Sequence, residues 1–107
     1  MTTGYNPWDT LCECLKAKPR RRILTGLAVK EPTETVHFTE VRGDESNPET
    51  PIHAEYVHHH LPKLAEAGYI VWDDQTYEIS QGPRFAEIEP FLELVQTHSE
   101  RLPDGWV

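Results

Sequence analysis

The chain has two cysteines, one methionine and no apolar run of the roughly 18 residues a membrane span needs. Cys12 and Cys14 lie one residue apart and cannot staple a loop of useful size, so a reducing, cytoplasmic setting is expected. The opening MTTGYNPWDTL has neither a charged n-region nor an apolar h-region, and no secretion signal is expected. A glycine-rich phosphate loop, a zinc-protease motif and a nucleophile elbow are all missing. Carboxylates are plentiful but scattered in the way solvated surfaces scatter them. No enzymatic activity and no cofactor are therefore expected.

Basic charge is also scarce: ten Lys and Arg stand against eighteen Asp and Glu in 107 residues, a net charge of −8. Its distribution is uneven. Residues 1–30 hold six basic side chains against two acidic ones, whereas residues 31–107 hold four against sixteen. Such asymmetry points to a local face for a polyanion. The alternative is that Arg20, Arg21 and Arg22 merely open a helix and are solvated. An acidic chain poor in lysine also fits proteins that work in multimolar salt. There the screening length is only about 3 Å, so net charge hardly opposes DNA binding.

What is present reads as one small domain. Residues 1–7 read as a flexible tail. Trp8, Leu11, Cys12 and Leu15 then recur at i, i+3, i+4, i+7, the stripe of an amphipathic helix. Pro19 suits the first turn of a second helix with Ile23, Leu24, Leu27 and Ala28 inward, ended by Glu31-Pro32. Thr35 to Phe38 predicts a short strand and Thr39 to Arg42 a helical turn. Gly43 to Pro51 is a polar, proline-containing loop. A long helix over about 52–67 follows, with Ala54, Val57, Leu61, Leu64 and Ala65 on its buried stripe and Gly68 as its stop. Tyr69 to Trp72 and Thr76 to Ile79 predict a hairpin over 69–79, with Tyr69, Val71, Tyr77 and Ile79 on one packed face. Phe85, Ile88, Leu92 and Val95 mark a last helical segment, which Pro90 is expected to kink or divide.

The predicted fold class is mainly α with a small β wing, a winged helix-turn-helix over residues 8–80. A C-terminal helical segment over 81–98 and a tail over 99–107 complete the chain. Within it, Val57-His58-His59-His60-Leu61-Pro62-Lys63-Leu64-Ala65-Glu66-Ala67-Gly68-Tyr69-Ile70 follows the upstream Pro19-Arg20-Arg21-Arg22-Ile23-Leu24. The spacing of His60-Leu61, Leu64, Ala67-Gly68 and Tyr69-Ile70 resembles the recognition-helix-to-wing junction of ArsR-like repressors. It is closer still to small winged-helix proteins of halophilic archaea that carry an HxHLPKLxxAG segment. The resemblance covers roughly residues 8–80. It implies a DNA-binding transcriptional regulator, with the helix about 52–67 in the major groove and the hairpin 69–79 as wing. Pro62 inside that helix implies a kink.

Turning 100° per residue from Leu61 places Glu55, Tyr56, His59 and Lys63 outward, with His53 and His60 at the margin. Tyr56, His59 and Lys63 are the expected groove contacts, with His53 beside them. Arg20, Arg21 and Arg22 would clamp phosphates, while Gln75 and Thr76 at the wing tip would meet the backbone. Glu55 and the Asp73-Asp74 pair oppose this. The consecutive histidines point 100° apart and cannot share one ion from one chain, and Cys12 and Cys14 lie on different helix faces. No metal site is expected. The competing reading is a winged-helix protein-interaction module without direct DNA binding. In either reading the stripes Trp8-Leu11-Leu15 and Phe85-Ile88-Leu92-Val95 either pair across a two-fold axis in a homodimer or form intrachain core.

Overall fold

A computed structural model describes residues 6–42 and 54–103 of the protein. The predicted loop 43–51 and His53 lie outside the described residues. Within them the chain is mainly helical with one small antiparallel sheet.

Helix α1, Pro7–Leu15, starts where Asn6 caps it. The Asn6 side-chain oxygen accepts from the Trp8 and Asp9 amides at 3.0 and 3.1 Å. Pro7 occupies a first-turn position that needs no donor, and Asp9 faces the positive end of the helix dipole. Leu11 and Cys14 are buried while Cys12 is exposed, so Cys14 and not Cys12 lies on the inner stripe. Both inward residues sit three apart, on one face of the helix.

Helix α2, Lys18–Ala28, accepts Pro19 in its first turn as expected. Ile23, Leu24 and Leu27 are fully buried. This helix is the hub, touching α1, the short helix α3 (Thr39–Arg42), the sheet and the last helix. Its C-terminal end is tied to the sheet by Gln81, whose Nε2 donates to the Leu27 and Lys30 carbonyls at 3.0 and 3.3 Å.

Helix α4 is where the structure departs most from simple periodicity. Its described part starts as α-helix at Ala54 and Glu55, widens into a π-helical turn, Tyr56–His60, and runs on as α-helix Leu61–Glu66. The Leu61 amide donates to the Tyr56 carbonyl, closing a turn one residue wider than an α-turn. Pro62 follows immediately. It has no N–H, and its ring crowds the carbonyl four residues back in a regular helix. The wide turn provides the room. Its consequence is a change of phase. Tyr56 and His60 turn inward beside Leu61 and Leu64, while Ala54 is exposed and Val57 only half-buried.

The exit from α4 is a Schellman arrangement. Gly68 adopts φ +86°, its amide donates to Ala65 at 3.0 Å, and the Tyr69 amide donates to Leu64 at 3.1 Å. Strands β1 (Val36–His37), β2 (Ile70–Trp72) and β3 (Glu78–Gln81) form the sheet in the order β1-β3-β2. Val36 and Trp72 both face Ile79 in the register. β3 thus begins two residues later than the hairpin pattern suggests. The turn is longer because Asp73 accepts the Gln75 and Thr76 amides at 2.7 and 3.3 Å, and Tyr77 takes φ 61°. Val71 points outward at 53% exposure, so it does not share the packed face with Tyr69 and Ile79.

Helix α5, Phe85–Thr97, passes through Pro90 without being divided. Phe85, Ile88 and Leu92 are buried within the same chain, together with Leu11 of α1. The apolar stripes of α1 and α5 are therefore largely intrachain core.

Candidate nucleic-acid interface

The outer surface of α4 presents Glu55, His58, His59 and Glu66 fully, with Pro62 and Lys63 half-exposed. His59 and Lys63 keep the accessibility that the sequence assigns them. Tyr56 does not. It is 1% exposed, and its ring packs against Phe38 at 5.6 Å and His60 at 5.7 Å. It is a core residue of the α4 joint rather than a groove reader, because the π-turn rotates it inward.

Lys63 lies over a cleft of about 230 Å³ between α1 and α4, shared with Thr10, Glu13, Cys14, Glu66 and Ala67. Glu13 is held below the usual carboxylate range, first by its contact with Lys16 at 3.1 Å and more weakly by Lys63 and Arg20. Lys63 thus faces α1 with part of its length. Neither Glu13 nor Cys14 stood out in the sequence as part of this surface; only the packing of α1 on α4 brings them to it.

The arginine run divides. Arg20 is 2% exposed and cannot clamp a phosphate as placed. Its Nη2 donates to the Glu13 carbonyl at 2.8 Å, and its Nη1 lies 3.4 Å from Nδ1 of His60. Arg21 is half-buried and donates to the Leu15 carbonyl at 2.7 Å, satisfying the C-terminal end of α1. Burial draws its pKa below the ordinary arginine value. Arg22 is half-buried, and exposed Lys18 precedes it on the same helix. The physical reason for the division is the helical turn: three consecutive residues sweep about 200°, so one of them must face the core.

At the hairpin tip Gln75 and Thr76 are exposed. Their polar groups turn to neighbouring carboxylates. Gln75 Nε2 donates to Asp74 and Thr76 Oγ1 to Glu78, each at 3.5 Å. Around them Asp73, Asp74 and Glu78 share a shallow hollow with Val71 and Trp72. This tip is electrostatically unfavourable for phosphate.

The two cysteines differ sharply. Burial pushes the Cys14 thiol up to about 11, while Cys12 is exposed. At pH 8 only about a thousandth of a thiol with that pKa is thiolate. Iodoacetamide is expected to alkylate Cys12 at least a hundredfold faster than Cys14, read by peptide mass spectrometry. Equal rates would mean that α1 does not pack as described.

Among the described residues, no group of three His, Cys, Asp or Glu side chains converges as a metal site would, and no helix is long and apolar enough to cross a membrane. Comparison of the chain with protein-family models, curated proteins and solved structures produced no match in any of the three.

Proposed function

We propose that the protein is a DNA-binding transcriptional regulator of winged helix-turn-helix type, with α4 laid in the major groove. The observation that carries this reading is the order of elements. Two helices, a strand, a short helix, a longer helix ending in Gly68 and a two-stranded hairpin follow one another, and β1 joins the hairpin through β3. That order supports a winged helix, and the resemblance of residues 8–80 to ArsR-like proteins supports the same assignment. The outer face of α4 then offers His58, His59 and Lys63 to base edges and phosphates, with Lys18, Arg21 and Arg22 as flanking cations. A homodimer reading two half-sites about one helical turn apart fits the apolar remainder left on α1 and α5. There Trp8 is 61% and Leu94 57% exposed.

The test is fluorescence anisotropy with DNA from upstream of the protein's own gene against a scrambled fragment, from low salt to molar KCl. Saturable binding that prefers the upstream fragment is expected. His59→Ala and Lys63→Ala should each weaken it about tenfold, the cost of one groove contact. The slope of log affinity against log salt counts the phosphates engaged. A folded sample that binds neither fragment at any salt would overturn the reading. A second reading, protein docking without DNA, is favoured by one feature: the acidic hairpin tip around exposed Val71. Winged helices lend themselves to either use, since fold does not fix function.

A further inference from the structure

The joint between α2 and α4 contains a contact that groove reading does not use. His60 sits on the π-turn of α4 at 6% exposure, with Nδ1 3.4 Å from a guanidinium nitrogen of Arg20, itself 2% exposed. A guanidinium only donates, so Nδ1 must be the acceptor and the ring neutral. The Nε of Arg20 is buried and has no partner. The other titratable or charged groups at this corner are few. From α1 come Glu13, whose carboxylate is engaged by Lys16 at 3.1 Å, and the Cys14 thiol. From α4 itself come His59, whose ring lies 5.0 Å from that of His60, Tyr56, and Lys63 over the cleft. Among the described residues the hydrogen-bond partner of the His60 ring is Arg20, and no ion pair joins the ring to a carboxylate. Among the described residues, a proton on this histidine would meet one fixed cation and no carboxylate paired with the ring.

We propose that the Arg20–His60 contact is an acid-opened latch: protonation of His60 at Nδ1 sets two cations together in the α2–α4 joint and releases α4 from α1 and α2. The rest of the domain, held by the sheet, α2 and α5, persists. Burial first, then Arg20 and then His59, hold His60 down to about 4 in the closed form. In the open form it returns toward the ordinary histidine value of about 6.5. The open form therefore binds more protons between these values. Opening is independent of pH above that window and becomes steadily easier as pH falls through it. Release of α4 would also weaken DNA binding, a consequence that rests on the reading of α4 as the groove helix; the opening itself does not.

Cys14 reports the opening, because it forms the floor of the cleft that α4 covers. In a Cys12→Ser chain, Cys14 is titrated with 4,4′-dithiodipyridine, a disulfide reagent active in acid. Rates are divided by those of the urea-unfolded chain at the same pH. Protection of Cys14 is expected to fall roughly fiftyfold between pH 7.5 and 4.5, while far-UV circular dichroism is retained. His60→Gln, which keeps an acceptor but does not titrate, should hold protection flat. Arg20→Gln should reduce the fall, since one cation is gone. Three results would overturn the latch: unchanged protection in the parent chain, an equal fall in His60→Gln, or loss of the dichroism signal together with protection. DNA affinity measured alongside separates the two claims, because absent DNA binding at every pH strikes the groove reading and leaves the thiol result standing.

Discussion

Replacing Gly82 by alanine is expected to destabilise the protein by about 3 kcal/mol or more, a large share of the stability of so small a domain. A Cβ at this position would lie 2.6 Å from the Gly68 carbonyl oxygen, 2.8 Å from the Ile70 amide nitrogen and 2.9 Å from the Ile70 carbonyl carbon. All three are backbone atoms, so no side chain can swing aside. The site is also where the end of α4 and the start of α5 are tied together. The Gly82 amide donates to Tyr69 and the Arg84 amide to Gly68, both at 2.8 Å. Relief of the clash would therefore break the Schellman exit of α4 or the entry to α5. Urea unfolding followed by tryptophan fluorescence measures the effect. A change of less than about 1 kcal/mol would mean that the two backbones are not in contact.

Gly82 shows what the sequence could and could not reveal. Its place before Pro83 marks a break between elements, which is readable from one dimension. That its α-hydrogen faces another backbone is a fact of three-dimensional approach and leaves no local trace. The same division runs through the whole molecule. Apolar spacing marks α1 and α2, two β-prone runs around a polar turn mark the hairpin, and Ile23, Leu24 and Leu27 are buried as their spacing requires. The hairpin register slipped because Tyr77, a bulky residue, adopts a left-handed conformation that composition never suggests. The Phe38 amide donates to its carbonyl at 3.0 Å, and its ring stacks on Trp72, which together hold it there. In α5, Pro90 marks a possible break, yet the helix continues, with Ile88 and Leu92 buried on either side of it.

The candidate interface was harder to read for a related reason. A regular helical rotation assigns its residues to faces, and α4 is not regular. Three consecutive histidines give no apolar phase of their own, and the phase set by Leu61 does not continue back through the π-turn. His59 and Lys63 keep their exposure because one lies on the outer side of the turn and the other beyond its end. Arg20 departs from its expected place for another reason. A run of three arginines looks like surface, whereas the first of them is buried against the Glu13 carbonyl and His60. No short-range pattern announces a contact forty residues away.

The fate of Tyr56 decides between the two phases of α4, and its replacement by alanine carries the other large expected effect. If the π-turn holds Tyr56 inward, Tyr56→Ala removes a ring packed against Phe38 and His60 at the centre of the joint. The expected loss is about 3–5 kcal/mol, as for other buried aromatic residues cut to alanine. If α4 were a regular helix and Tyr56 faced outward, the same change would alter stability by roughly 0.5 kcal/mol at most. On the proposed groove reading it would instead act on DNA affinity alone. Urea midpoints and anisotropy on one sample distinguish these outcomes without ambiguity. A strongly destabilised variant whose folded fraction still binds DNA with the parent's affinity would fix the inward phase and leave His59 and Lys63 as the groove residues. A stable variant that loses DNA binding would restore the regular helix. It would also remove the wide turn by which Pro62 is accommodated, and with it the burial of His60 on which the acid-opened latch depends.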